Sequence, residues 1–153
     1  MVKALKHAVV GLAMGLTASL VYAHGDVTPQ VVDVSTLPPL GDDFKDENPY
    51  RGNKEAIKIG ASAFNQNCAR CHGLAAVSGG ISPDLRKLDI DADTDQYFRD
   101  SVLAGKVRNG ITYMPPFAAV FSQEAIWAIK SYIECRKPSL DDESKGNDCG
   151  DGH

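Results

Sequence analysis

The sequence predicts an all-α fold, three to five helices preceded by an extended arm. Three observations carry that expectation. Apolar residues recur at helical spacing over residues 57–64 and 126–133, strand signals are sparse throughout, and prolines at 29, 38, 39 and 49 exclude a long helix from the early chain.

Residues 1–7 carry Lys3 and Lys6, residues 8–21 form an uncharged apolar run, and Val21-Tyr22-Ala23 has the small-x-small pattern of a signal-peptidase site. The expectation is a secretory signal over 1–23, cleaved after Ala23. The run is shorter than the roughly 20 residues that span a bilayer, which argues against a membrane anchor. No other segment reads as transmembrane. Loss of Lys3 and Lys6 leaves 14 basic side chains against 20 acidic ones, a formal charge of −6 where the whole chain has −4. Such a chain disfavours nucleic acid and anionic membrane surfaces as partners.

Over 24–54, Val27, Val31, Val32, Val34, Leu37 and Leu40 lie among the prolines. Scattered aliphatics argue against plain disorder, so this stretch is read as an extended arm laid over the domain, with a linker as the alternative. Asn53 then caps a helix to about Asn67, with Ile57, Gly60, Ala61 and Phe64 on one stripe. Because Gly60 has no side chain, another helix can approach it closely, and the first and last helices are expected to cross there. Thr94 is read as the start of a helix over Asp95 to Ala104 that ends at Gly105. Ser122 caps the last, running through about Glu134 with Ile126, Ile129 and Ile133 on one face and Trp127 and Tyr132 at its flanks. The tail after Pro138 is rich in Asp, Glu, Ser and Gly.

Asp89, Asp91, Asp93 and Asp95 alternate in a way that invites a calcium loop. Counted from Asp89, Thr94 stands where glycine is needed and Asp100 where the bidentate glutamate belongs. They are read instead as solvated surface acids.

Cys68-Ala69-Arg70-Cys71-His72 carries the chemistry. C-x-x-C-H is the pattern by which a chain holds a c-type haem. Two thiols three positions apart can each form a thioether to a haem vinyl group, and the adjacent histidine is delivered to the ring face to ligate iron. The competing readings are a thioredoxin-type pair, which needs a βαβ setting, a structural zinc site, which needs a second close ligand pair, and a chance match.

With Cys68 and Cys71 assigned to haem, Cys135 and Cys149 remain, an even pair in an oxidising compartment. A Cys135–Cys149 disulfide is expected, with two free thiols as the alternative. Closing a loop of that length contributes on the order of 3 kcal/mol in the chain-entropy description.

Met114 is the only methionine of residues 24–153, and besides His72 the histidines there are His24 and His153, the two ends of that segment and poorly placed to be held over a haem. Pro115 and Pro116 stiffen the loop behind Met114 and could hold its thioether toward the iron. The alternative is a methionine that merely fills the core. A neutral thioether opposite histidine favours ferrous iron, and two filled axial positions leave none for oxygen or peroxide. Phe64, Leu85, Tyr97, Phe98, Ile111, Phe117 and Trp127 are expected to bury the ring. Pro83 is placed so that its carbonyl could accept the other ring N–H of His72.

The chain resembles a class I cytochrome c over about 55–134. The resemblance rests on Gly60 and Phe64, Cys68 to Gly73, Pro83-Asp84-Leu85, Met114-Pro115 and the helix bearing Trp127 and Tyr132. It implies an all-α fold wrapped on one haem c, with an edge exposed near the thioethers for docking. A narrower resemblance takes in Val27 to Gln30, Leu37 to Gly41, Asn48 to Asn53 and Asn65 to Cys68. Those segments look like the periplasmic cytochromes that accept electrons from pyrroloquinoline-quinone-dependent alcohol dehydrogenases. The implied organisation is a signal over 1–23, an arm over 24–54, a haem domain over 55–134 and an acidic, disulfide-bearing tail over 135–153. The implied function is a monomeric, non-enzymatic, periplasmic one-electron carrier, reduced by such a dehydrogenase and oxidised by a downstream cytochrome or terminal oxidase. Alternatives are the haem subunit of an oxidoreductase complex or, if Met114 does not ligate iron, a peroxidase or ligand sensor.

Overall fold

A computed structural model describes residues 28–150; the expected signal segment, the first residues of the arm and His153 lie outside them. Four helices are described, α1 (Lys54–Asn67), α2 (Ala69–His72), α3 (Ala92–Ala104) and α4 (Gln123–Arg136), with a two-stranded sheet of β1 (Lys106–Arg108) and β2 (Ile111–Met114). Single 3-10 turns occupy Leu74–Ala76, Leu85–Lys87, Lys137–Leu140 and Glu143–Gly146.

Local chemistry starts the two long packed helices. The Asn53 side chain accepts from the amides of Glu55 and Ala56 at 3.0 and 3.1 Å, satisfying donors that the first turn of α1 would otherwise leave orphaned. Ser122 serves α4 in the same way through the Ala125 amide, and α4 runs two residues past the expected Glu134. The two helices cross where Gly60 meets Ala128. A Cβ at Gly60 would fall inside the van der Waals envelope of the Ala128 carbonyl, so only glycine permits this approach. Beside the crossing, Phe64 packs on Tyr132 with ring centroids 5.3 Å apart.

The third helix corrects the expected start. It begins at Ala92, not Asp95, because the Asp91 carboxylate accepts from the Thr94 amide at 2.7 Å and takes the capping role assigned to Thr94. Gly105 closes it at φ 69°. The hairpin that follows was not expected. Its turn is Asn109-Gly110, both at positive φ (52° and 76°), the signature of a tight hairpin turn.

Apolar burial forms two clusters. One joins α1, α3 and α4 through Phe64, Phe98, Val102, Phe117, Ile126 and Ile129. The other lies beneath the arm and holds Leu37, Tyr50, Ala56, Trp127 and Ala128. Trp127 was expected near the haem; its side of α4 instead faces the arm, which covers it.

The arm is fastened by polar contacts. The Leu40 amide donates to Glu124 at 2.9 Å and the Asn48 amide to Asp95 at 2.8 Å, while the Asn48 side chain reaches Ser131 at 3.0 Å. Tyr50 donates its hydroxyl proton to the Pro38 carbonyl. Asp95 is therefore no solvated surface acid. It is fully buried, 3.1 Å from the equally buried Lys130 and 2.6 Å from Arg51, because the first turn of α3 aims it at α4. Asp89, Asp91 and Asp93 do stay exposed.

Candidate haem site

α1 ends at Asn67, and Cys68 is at once its C-cap and the cap of α2. The amides of Cys71 and His72 both donate to the Cys68 carbonyl, at 3.1 and 3.0 Å, which folds the motif into a single turn. Cys68 and Cys71 are thereby brought into one cleft as free, half-buried thiols. Burial, with a smaller contribution from the charge of Cys71, pushes the Cys68 thiol up to about 12 while it is unattached.

His72 lines the same cleft. Its Nδ1 lies 3.1 Å from the Pro83 carbonyl oxygen, an arrangement in which Nδ1 donates and Nε2 is the nitrogen left for a ligand. Pro83 is held from behind. Asp84, the next residue, accepts from the Arg86 Nε at 3.0 Å and Nη2 at 2.8 Å, and these hydrogen bonds keep its carboxyl below the ordinary carboxylate value.

Met114, half-buried at the end of β2, reaches the cleft from the hairpin, with Pro115 beside it. Phe117, three residues on, is buried, stacks on Phe121 with centroids 4.8 Å apart, and donates its amide to the Val102 carbonyl at 3.0 Å. The loop carrying the thioether is thus tied to the end of α3.

The cleft opens to solvent and brings together Cys68, Cys71, His72 and Met114. It also recruits Asn67, Tyr113 and Ser82, which the sequence reading did not single out. Adjacency was the available signal for Asn67 and Tyr113, since each precedes a predicted site residue. Pro83 touches the site through its carbonyl alone. Cys135 and Cys149 lie apart from it, joined to each other with Cα atoms 5.8 Å apart.

This donor set suits a haem. Two thiols a helical turn apart match two vinyl groups, and an imidazole with one nitrogen engaged and a thioether match the two axial positions. Segments around the cleft expose large apolar side chains, Ile81 at 83% and Tyr113 at 64%, which a flat apolar macrocycle could cover. Among the described residues no three His, Cys, Asp or Glu side chains converge as an ion cage, so the structure offers no second metal arrangement built from those residues.

Comparisons with known proteins agree. Residues 55–133 match the family described as cytochrome c oxidase, cbb3-type, subunit III. Cytochrome c550 of Pseudomonas aeruginosa is 56% identical over 121 residues, covering 76% of this chain and 83% of that protein. Two Pseudomonas putida enzymes, quinohemoprotein alcohol dehydrogenases ADH-IIG and ADH IIB, are 39% and 34% identical over 58% of this chain, which spans only 12% of each. No solved structure gave a significant match.

Proposed function

This chain belongs to the cytochrome c family and is an electron carrier with covalently bound haem c; we propose that His72 and Met114 are its two axial ligands and that a PQQ-dependent alcohol dehydrogenase is its donor. Bound haem c supplies a one-electron iron couple. The observation that carries the ligand assignment is one of placement. The single imidazole and the single thioether among the described residues line the same cleft as both free thiols.

The residues divide the work. Cys68 and Cys71 tether the macrocycle. The Pro83 carbonyl fixes the tautomer and ring plane of His72 and raises its basicity as a ligand. Met114, a soft neutral sulfur held by the proline-stiffened loop, favours the reduced state and closes the position that oxygen or peroxide would need. Tyr113 and Phe117 line the cleft beside the thioether. A site with both axial positions filled from its own chain changes little in geometry when the charge on iron changes, which suits electron exchange and not catalysis.

The donor is supported by the likeness to segments of two quinohemoprotein alcohol dehydrogenases. A downstream cytochrome or terminal oxidase is the acceptor in this reading. Cleavage after Ala23 would deliver the protein to the periplasm. No helix among the described residues is long and apolar enough to cross a membrane.

The test is optical and electrochemical. Ferrous protein at neutral pH is expected to resist carbon monoxide, whereas Met114→Ala is expected to bind it promptly and to titrate at a lower potential, within the range of roughly 0.8 V over which axial ligands set haem potentials. A variant with wild-type spectrum and potential overturns the ligand assignment. Stopped-flow mixing with a purified PQQ-dependent alcohol dehydrogenase tests the donor, and absence of rapid haem reduction overturns it.

A further inference from the structure

We propose that the disulfide-closed C-terminal tail is a positioning element for His72, acting through two buried arginines. The proposal rests on the reading of His72 as an axial ligand. Three and four residues past the end of α2, Ala75 and Ala76 both sit in the left-handed region, at φ 54° and 60°. That conformation is unfavourable for alanine, so contacts from outside the segment must hold it.

Arg136, 4% exposed at the end of α4, supplies one such contact. Its Nε donates to the Ala75 carbonyl at 3.1 Å, and its Nη1 donates to the Gly146 carbonyl of the tail at 2.6 Å. A Cβ at Gly146 would lie 2.6 Å from that same Nη1, so tail backbone and guanidinium abut.

Arg86, 6% exposed, works on the segment that carries the acceptor of His72. While its Nε and Nη2 hold Asp84, its Nη1 donates to the carbonyl and hydroxyl oxygens of Ser139 at 3.3 and 3.2 Å. Ser139 in turn donates to the Arg136 carbonyl at 2.6 Å, joining the two arginines through the tail. Asp84 directly follows Pro83, whose carbonyl meets His72. The chain leaving His72 and the chain carrying its acceptor are therefore both tied to residues 136–146, and the Cys135–Cys149 bond closes that segment into a loop. A carbonyl held firmly against Nδ1 keeps the imidazole basic, which favours ferric iron. Loosening the tail should raise the potential.

The experiment uses haem-loaded protein and three readouts: midpoint potential, the haem-methyl shifts of the ferric proton spectrum, which follow imidazole orientation, and melting temperature. Gly146→Ala displaces the Arg136 guanidinium with the disulfide kept, and Cys135→Ser with Cys149→Ser opens the loop. Both are expected to raise the potential and alter the methyl pattern, with Ser139→Ala moving them the same way by less. Asn53→Ala, at the α1 cap, is expected to lower the melting temperature alone. Tail variants that lower the melting temperature yet keep wild-type potential and methyl pattern overturn the proposal, since the tail would then be only a staple. If Gly146→Ala or the double variant does not fold, Ser139→Ala, which removes a single hydroxyl, decides by the same criterion. Failure of the His72 reading is separately visible, because wild-type protein would then lack the spectrum of a six-coordinate His/Met haem before any variant is made.

Discussion

The face beneath the arm and the face that carries the C-x-x-C-H turn are built on the same pair of helices, α1 and α4, yet they are finished in different ways. Under the arm, Leu37 and Tyr50 close over Trp127 and Ala128, and the buried charges of Asp95 and Lys130 neutralise each other with Arg51 and Glu134 at the edge. On the motif face two thiols stay unjoined, an open cleft separates α2 from the hairpin, and Ile81, Ile111 and Tyr113 stand largely exposed. The polypeptide completes the first face by itself. Haem must complete the second, so damage to the two faces should register in different observables.

The largest effect should come from Cys68→Ala with Cys71→Ala. Covalent haem is expected to vanish from denaturing gels, and the melting temperature to fall because the motif face loses its cover. A double variant that melts like wild type would erase the contrast. On the arm face, Asp95→Ala removes one of the two carboxylates that face the buried Lys130, leaving Glu134 at 3.0 Å, and should cost roughly 3 kcal/mol in urea unfolding, with the haem potential unchanged. Gly60→Ala forces a methyl group against the Ala128 carbonyl and should cost about 1–3 kcal/mol by the same measurement. Asn53→Ala, which removes only a cap, should cost about 1 kcal/mol and leave the potential alone.

The smallest effect sharpens the comparison through pH. Hydrogen bonds from Arg86 hold the Asp84 carboxyl below its ordinary value of 3.8, so the ionised group stabilises the fold above that value and loses its contribution as pH falls through the lower folded value. The stability difference between wild type and Asp84→Asn is expected to be flat from about pH 5 to 8 and to shrink below about pH 4, where unfolded Asp84 takes up its proton. A difference that persists at low pH would mean that Asp84 acts through shape and not through charge.

Features that depend on residues close together in the chain are legible without the fold. Asn53 and Ser122 cap their helices because a side-chain oxygen one turn from free amides needs no distant partner. Gly60 marked the helix crossing, and Cys68, Cys71 and His72 announced a haem because covalent attachment imposes a fixed local spacing. Asn109-Gly110 was an equally local signal for the hairpin, passed over because the strands it joins are short and solvent-facing.

Residues that look alike in the chain part ways once the helices pack. Asp91 and Asp95 are both aspartates of one alternating run, yet one caps α3 in solvent and the other is buried against Lys130, because what faces each depends on α4, more than thirty residues away. Nothing in the sequence around Arg86 or Arg136 marks them for burial, yet both are buried against the folded-back tail beside the segments flanking His72. Caps, turns and attachment motifs are satisfied by neighbours in sequence; burial and charge pairing are satisfied by neighbours in space, which no local pattern specifies.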